Sequence, residues 1–330
     1  MGVDLFFVLS GFLITGILAD TKDTQGYFRN FYARRCLRIW PLYYSLLFFM
    51  FVGLRFLNPS EYHNALRQSS PWWAYVLYLQ NFIGPISTQA AGPLGVTWSL
   101  AIEEQFYLVW PIVVRFCSFT QLRRLAILEL CVSPALRYYM ALHHVNLYTN
   151  VFSRLDGLMA GAALAIIVRG ENFVASKWLR HAWICLLVAL PLAFFTERLA
   201  EWVVYSFTAL ASAAFIYVSL FSPRKSVQRI MTNKYLIYTG IVSYGLYLLH
   251  KIPVGFVETL HMDRSPYPLL PIIIAMSYGI AALSWNFYER PFLRLKRFFE
   301  SPPPRRNRAE SMEFPPRQKG SRPNTIEENA

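Results

Sequence analysis

The hydrophobic residues of this chain fall into long blocks, with neither the alternation of a β-strand nor the one-sided stripe of a soluble helix. Several blocks approach the roughly 20 apolar residues that a helix needs to cross a bilayer. The pattern therefore predicts an all-α polytopic membrane protein. The blocks are residues 3–19, 39–57, 72–86, 96–116, 125–142, 152–168, 182–196, 203–221, 236–258 and 269–289.

Basic residues between the blocks predict the orientation, because short cytoplasmic loops carry an excess of Lys and Arg. The segment after the first block is strongly basic, whereas 58–71 has the single cation Arg67. We therefore expect the N-terminus of this chain to lie outside and the first loop to be cytoplasmic. The cations of that first segment are Lys22, Arg29, Arg34, Arg35 and Arg38.

The block 72–86 does not fit as a full crossing. If it crossed, every later basic loop would lie on the outer side, against the charge rule. It is also short and interrupted by Gln80, Asn81, Gly84 and Pro85, as is tolerated in re-entrant backbone buried in protein. The sequence predicts about nine transmembrane helices plus one re-entrant segment, with the C-terminus in the cytoplasm.

The composition excludes an ordinary soluble protein, since 55% of the 330 residues are hydrophobic and only 15% are charged. The net charge of +13 does not indicate nucleic-acid binding, because the cations sit in loops between apolar blocks. Their expected partners are anionic membrane lipids and one anionic ligand. The four cysteines have no C-x-x-C spacing and no histidine at ligand spacing, so we predict no metal site.

The last part of the chain changes character, with three consecutive prolines from Pro302, several arginines and few apolar side chains. Such a composition is typical of a disordered segment. The sequence thus predicts a transmembrane bundle over 1–297 and a disordered, basic, Pro-rich cytoplasmic tail over 298–330. That tail either attracts anionic lipid or is simply solvated.

Ionisable residues inside membrane spans are costly, and those present usually face a cavity or a partner. With the predicted orientation they form two layers, at the outer and inner ends of the bundle. The outer layer contains Asp4, Glu103, Glu104, Arg137, Arg154, Asp156 and His250. The inner layer contains Arg34, Arg35, Arg38, Glu289 and Arg290.

Three inner arginines favour an anionic ligand. Arg35 and Arg38 are three residues apart and share one helical face, next to Arg34. Guanidinium groups suit phosphate. The alternative is that these residues only anchor the span at the cytoplasmic surface.

Two features of the predicted outer layer could take part in proton transfer. Adjacent carboxylates at Glu103 and Glu104 cannot both face lipid, so one is expected to face the bundle interior and to act on a proton or orient a base. His250 lies within a predicted span and could itself be a base. The alternatives are an ion pair of a glutamate with Arg137 or Arg154, and a hydrogen-bonded packing role for His250.

Four stretches, 2–14, 31–44, 98–111 and 243–253, together resemble the integral-membrane acyltransferase 3 family, which includes O-antigen and other cell-surface O-acetyltransferases. Residues 154–158 and 289–291 are weaker points of similarity. The resemblance implies a bundle that transfers an acyl group, commonly acetyl, from cytoplasmic acyl-CoA to a hydroxyl of an envelope carbohydrate or lipid-linked acceptor. It also implies a bacterial inner membrane location.

The resemblance assigns a role to two of the arginines above, and the other site residues are predicted from their chemistry. The family's Arg-x-x-Arg element, associated with the acyl-CoA donor, corresponds to Arg35 and Arg38, and Arg34 is added to that site. Glu103 and His250 are the predicted catalytic residues. The predicted acceptor-binding residues are Asp4, Glu104, Arg154 and Asp156.

The family bundle has ten spans, and its first helix carries an Arg and a His that is regarded as the general base. No residue here corresponds to it, so we expect the natural start to lie upstream of Met1. The alternatives are a truncated, inactive remnant or partner subunit, and, in a different class, a transporter or permease. The small residues Ser10, Gly11, Thr15 and Gly16 predict close packing of the first span against a neighbour, expected to be that missing helix.

Overall fold

The structure is a computed structural model, and it describes residues 2–57, 69–83, 92–170, 173–196, 201–260 and 269–299. The described residues form helices and connecting turns, with no strand among them. The α-helices are α1 Gly2–Asp20, α2 Tyr27–Phe48, α3 Leu54–Leu57, α4 Trp72–Val76, α5 Thr97–Phe116, α6 Phe119–Leu142, α7 Val151–Val168, α8 Ala175–Thr196, α9 Glu201–Phe221, α10 Lys225–Met231, α11 Lys234–Leu249, α12 Lys251–Leu260, α13 Leu270–Leu283 and α14 Arg290–Arg294.

Short helical segments of other types extend this set. π-helical turns at Phe49–Gly53 and Ser284–Glu289 follow α2 and α13 directly. A 3₁₀ turn at Gly92–Val96 precedes α5, and another at Leu295–Phe299 follows α14. The second of these includes Phe298 and Phe299, so helical structure runs two residues into the predicted tail. The rest of that tail lies outside the described residues.

Seven helices in the described part of the chain are long and apolar enough to cross a bilayer, and the bent pair Lys234–Leu249 and Lys251–Val257 would make eight. The fold class predicted from the sequence, an all-α polytopic membrane protein, is confirmed. The predicted number of nine crossings is not confirmed. The ninth predicted crossing is α5. Its 20 residues are long enough to span a bilayer, but Glu103, Glu104 and Gln105 lower its hydropathy.

The block 72–86 contains only the five-residue helix α4 and turns up to residue 83, so this described part is too short to cross a bilayer. Neighbouring helices satisfy its exposed carbonyls. Tyr43 Oη donates to Tyr75 O at 2.8 Å, and Gln105 Nε2 donates to Tyr78 O at 2.7 Å. Non-helical backbone is tolerated at membrane depth only with partners of this kind. The continuation of the block beyond residue 83 lies outside the described residues.

The first span, α1, is in contact with α7, α5 and α9. Its contact with α7 is very close, because a Cβ built on Gly11 would lie 1.9 Å from Leu158 O, and one on Gly161 would lie 1.9 Å from Val8 O. Small residues allow helix backbones to approach closely, and this is a main source of helix association in membranes. Gly11, one of the small residues expected to face the missing helix, therefore packs against α7.

Two other small residues of α1 contact α5 rather than α7. Ser10 hydrogen-bonds the Tyr107 hydroxyl, and Thr15 Oγ1 accepts a hydrogen bond of 2.8 Å from Trp110 Nε1. Both partners belong to α5, so α1 presents glycine to α7 and hydroxyls to α5. These contacts fix the register of α5, which carries the two central carboxylates.

We expect Gly161→Ala to destabilise the protein by about 1–3 kcal/mol, because the new methyl group would force α1 and α7 apart. Thermal unfolding of the purified protein in detergent measures this. The control is Gly279→Ala in α13, where nothing lies within 4 Å of the added Cβ. Alanine favours a helix interior over glycine by roughly 0.5–1 kcal/mol, so the control should be neutral or stabilising. Equal melting temperatures for the two variants would contradict the close contact.

Candidate active site

Helix α2 presents the three arginines predicted to bind an anion. Arg34 is exposed, whereas Arg35 and Arg38 are half-buried. The guanidinium of Arg35 lies over the ring of Tyr107, 5.5 Å from its centroid, and 5.9 Å from that of Phe31. Such cation–π contacts hold a guanidinium without neutralising it. Arg35 therefore points inward from α2 towards α5.

Glu103 on α5 is the carboxylate that faces the bundle interior, with 1% of its surface exposed. Its hydrogen-bonding neighbours are Ser10 and Tyr107, and its charge interacts with that of Arg35. Oε1 of Glu103 has no hydrogen-bond partner among the described residues. A buried oxygen of this kind is costly unless a further group approaches it, so it marks a position for a ligand or a proton.

The neighbouring carboxylate, Glu104, faces α2. It is hydrogen-bonded by the Trp40 side chain, and its charge also interacts with that of Arg35. Its Oε1 likewise has no partner among the described residues. Glu103 and Glu104, predicted in the outer layer, therefore interact with Arg35, which was predicted in the inner layer, so these two layers are not separate here.

A separate buried cluster lies at the start of α1 and α7, where Arg154 pairs with Asp4. Arg154 Nη2 is 2.5 Å from Asp4 Oδ1, and both residues are buried. Aromatic rings enclose the guanidinium, with the Tyr205 centroid at 3.9 Å and the Trp98 centroid at 5.8 Å. The pair ties the first turn of α1 to α7.

Arg137 and Asp156 form the second buried ion pair, at 2.8 Å between Nη1 and Oδ2. Arg137 also donates to the carbonyls of Ser153 at 2.8 Å and Trp202 at 2.7 Å, and to Ser206 Oγ at 2.5 Å. The guanidinium thus links α6, α7 and α9. The suggested pairing of Glu103 or Glu104 with Arg137 or Arg154 does not occur, since both arginines have aspartate partners.

His250 lies at the 53° bend between α11 and α12, half-buried. Its Nδ1 is 2.7 Å from Tyr247 O, and since a carbonyl can only accept, Nδ1 carries the proton. In the neutral imidazole Nε2 then keeps its lone pair, as a base requires. Tyr247 Oη in turn contacts Ser99 Oγ at 2.5 Å, one helical turn before Glu103.

The structure thus divides the predicted site residues into two groups. Arg35, Glu103 and Glu104 come together at the contact between α2 and α5, with Arg34 and Arg38 on the same face of α2. Asp4, Arg154 and Asp156 form the second group, near the start of α7, where each of them takes part in an ion pair. His250 is on a third element. Among the described residues, no three His, Cys, Asp or Glu side chains could hold a metal ion.

Sequence reasoning missed the residues that surround Glu103. Tyr107 and Ser10 lie within quoted motifs, yet nothing in their spacing shows that they meet across two helices. Lys296 was also missed. It lies in the turn Leu295–Phe299, and its charge interacts with those of Arg34, Arg35 and Arg38. It follows the last predicted span, and nothing in the sequence alone places it beside α2.

Chemically, the arrangement connects an exposed cationic surface to a buried carboxylate. Arg34 is exposed, Arg35 is half-buried and Glu103 is fully buried. Such a sequence of groups suits a ligand that has an anionic end and a reactive end deep in the bundle.

Comparison with known proteins identifies the family. A family model described as an acyltransferase domain matches residues 1–288. The chain belongs to this acyltransferase family. The resemblance inferred from the four sequence stretches is therefore confirmed, and the chain is an integral membrane protein.

Relatives of this acyltransferase-family chain have names that mention O-acetyl transfer. A Staphylococcus aureus (strain COL) protein, provisionally named an O-acetyltransferase, is 28% identical over 320 residues, which cover 88% of this chain and 52% of the relative. The peptidoglycan O-acetyltransferase OatA of Listeria monocytogenes is 28% identical over 323 residues, covering 88% and 51%. The chain spans about half the length of the curated relatives it matches. No solved structure matches it.

We expect Arg137→Ala in this acyltransferase-family protein to lower the free energy of unfolding by about 3–5 kcal/mol, because it leaves Asp156 as an unpaired buried charge. The apparent melting temperature in detergent measures the effect. Arg124→Ala, at an exposed position on the same helix, is the control and should change little. A melting temperature for Arg137→Ala equal to that of the control would show that the pair does not stabilise the bundle.

Proposed function

We propose that this protein is a membrane O-acyltransferase that moves an acyl group, acetyl in the simplest case, from cytoplasmic acyl-CoA to a hydroxyl of an envelope carbohydrate or a lipid-linked acceptor. The observation that carries the proposal is the position of Arg35 inside the bundle, over the ring of Tyr107 and close enough to Glu103 for their charges to interact. It places a phosphate-binding type of residue next to a buried carboxylate that has an unpartnered oxygen.

The donor would bind from the face of α2 that carries Arg34, Arg35 and Arg38. Phosphate groups favour guanidinium partners, and a partly buried guanidinium binds them more strongly than one in water. The thioester end would then extend towards α5. Positive residues at this end of the bundle support a cytoplasmic position in the plasma membrane of a bacterium, with the start of α1 outside.

In the transfer step, the acceptor hydroxyl attacks the thioester carbonyl. The new bond joins the hydroxyl oxygen to the acyl carbon, and the bond between that carbon and the CoA sulfur breaks. The hydroxyl proton passes to a base and then to the departing thiolate. Glu103 is the group on the described elements that we assign to holding this proton or orienting the base. His250, with Nε2 as its free lone pair, is the other predicted catalytic residue.

The acceptor proposal draws on the relatives. One of them is named a peptidoglycan O-acetyltransferase, so a glycan hydroxyl is the acceptor class that we propose for this chain. Asp4, Glu104, Arg154 and Asp156 remain the predicted acceptor residues. Since Asp4 and Arg154 form an ion pair, their contribution would be to keep the start of α1 in place.

Donor binding provides the first test. Membranes containing the protein should retain radiolabelled acetyl-CoA, and the double variant Arg35→Ala, Arg38→Ala should bind it at least about 10-fold more weakly, because two charge-assisted contacts are lost. Arg124→Ala removes an exposed cation from α6 and serves as the control. Unchanged binding by the double variant would refute the donor assignment.

Transfer provides the second test. Glu103→Gln should lower the rate of acetyl transfer to a glycan acceptor by about 100-fold or more while donor affinity stays the same, because the amide cannot take a proton. The control is Glu129→Gln, a half-buried glutamate on α6 that is hydrogen-bonded to Ser133 and whose charge interacts with Asp156 and Arg137 rather than with Arg35. An equal loss in both variants, or none in either, would remove Glu103 from the reaction.

A further inference from the structure

Four cations meet at one place on the structure although they come from opposite ends of the chain. Arg34, Arg35 and Arg38 lie on α2, and Lys296 lies on the turn Leu295–Phe299. This turn and the preceding α14 pack against α2. The π-helical segment Ser284–Glu289 passes close to α2 as well and places Glu289 beside Arg38.

The charges at this place are poorly balanced. The described groups whose charges act on Lys296 are Arg38, Arg35 and Arg34, all of them cations. None of the ion pairs between described residues involves these four side chains. Arg35 and Arg38 have glutamates in their neighbourhood, Glu104 and Glu289, at a longer range. The excess of positive charge is therefore greatest around Arg34 and Lys296.

Like charges held together repel each other, by about 1 kcal/mol at 4 Å in water and more at a partly buried site. The binding of an anion between these cations would offset this repulsion and so stabilise the folded protein. Arginine and lysine side chains at one site are typical partners of phosphate groups. The position of Lys296 is thus better explained by a ligand with a phosphate than by packing alone.

The burial of the four side chains indicates which phosphate group of the ligand they bind. Arg35 is the innermost, in contact with Tyr107, and Arg34 is exposed, with Lys296 half-buried nearby. An acyl-CoA whose thioester lies near Glu103 would extend outwards through its diphosphate to the ribose 3′-phosphate. The end of CoA farthest from the thioester then reaches Arg34, the exposed member of the group, and Lys296, whose charge interacts with it.

We propose that Lys296, together with Arg34, binds the 3′-phosphate monoester of the acyl-CoA donor. This assignment rests on the proposed function. Lys296 lies beyond residues 1–288, to which the family model is matched, and it joins the site only because the end of the bundle folds against α2.

The test compares two donors and two variants. The full chain is placed in nanodiscs, and its affinity for acetyl-CoA and for 3′-dephospho-acetyl-CoA is measured by equilibrium binding. Lys296→Ala should weaken acetyl-CoA binding about 10-fold, the value of one charge-assisted phosphate contact, and should leave the dephospho donor unaffected. Arg297→Ala removes the adjacent, exposed cation and should change neither affinity.

The outcomes separate this inference from the proposed function. If the wild type binds acetyl-CoA but Lys296→Ala weakens both donors equally or neither, the 3′-phosphate assignment is wrong and the acyltransferase proposal stands. If the wild type binds neither donor, both fail. Nanodiscs of neutral phosphatidylcholine are compared with nanodiscs that also contain anionic phosphatidylglycerol. An effect of Lys296→Ala that appears only with the anionic lipid would identify a lipid headgroup as the ligand and overturn the proposal.

Discussion

The bundle depends on one constraint, namely that a charge enclosed by apolar helices must find a partner inside the protein. Arg137 satisfies this requirement by bonding to an aspartate, two carbonyls and a hydroxyl, and so joins three helices. Arg154 meets it with Asp4 and a ring of aromatic faces. Because leaving either arginine without its partner would cost several kcal/mol, these pairs fix how α1, α6, α7 and α9 sit together.

The carboxylates of α5 depart from this rule, because neither Glu103 nor Glu104 forms an ion pair within 4 Å of a described residue. Oxygen atoms of Glu103 and Glu104 are buried without a partner among the described residues. Stability alone would favour apolar residues at such positions. Their presence at the contact with Arg35 fits a site that is completed when a ligand binds, as in an enzyme whose donor brings the missing polar groups. The glycine contacts between α1 and α7 support the site indirectly, since they fix the helix that supplies Ser10.

The sequence allowed the elements of this site to be predicted but not their grouping. Block length and hydropathy identified most spans, and the cost of charge in a bilayer selected Arg35, Glu103, Arg154 and Asp156 as residues with a role. The division into two layers did not anticipate that Glu103 and Glu104 interact with Arg35, because position along a span gives the depth of a residue only when the tilt and the vertical offset of its helix are known. Which arginine pairs with which acid depends on how each helix is rotated and on which helices are its neighbours. Neither can be predicted from a single sequence.

The sequence by itself thus determined the class of the fold, the family and the residue types that carry charge into the membrane, because hydropathy and short motifs are local properties. Only the tertiary structure decided that α7 and α5 are the neighbours of α1 and that Glu103 faces Arg35 rather than Arg154. It alone brought Lys296 to the arginines of α2. The physical reason is the same in each case: these are contacts between distant segments, and they follow from how close backbones approach at Gly11 and Gly161 and from where a buried charge finds its partner.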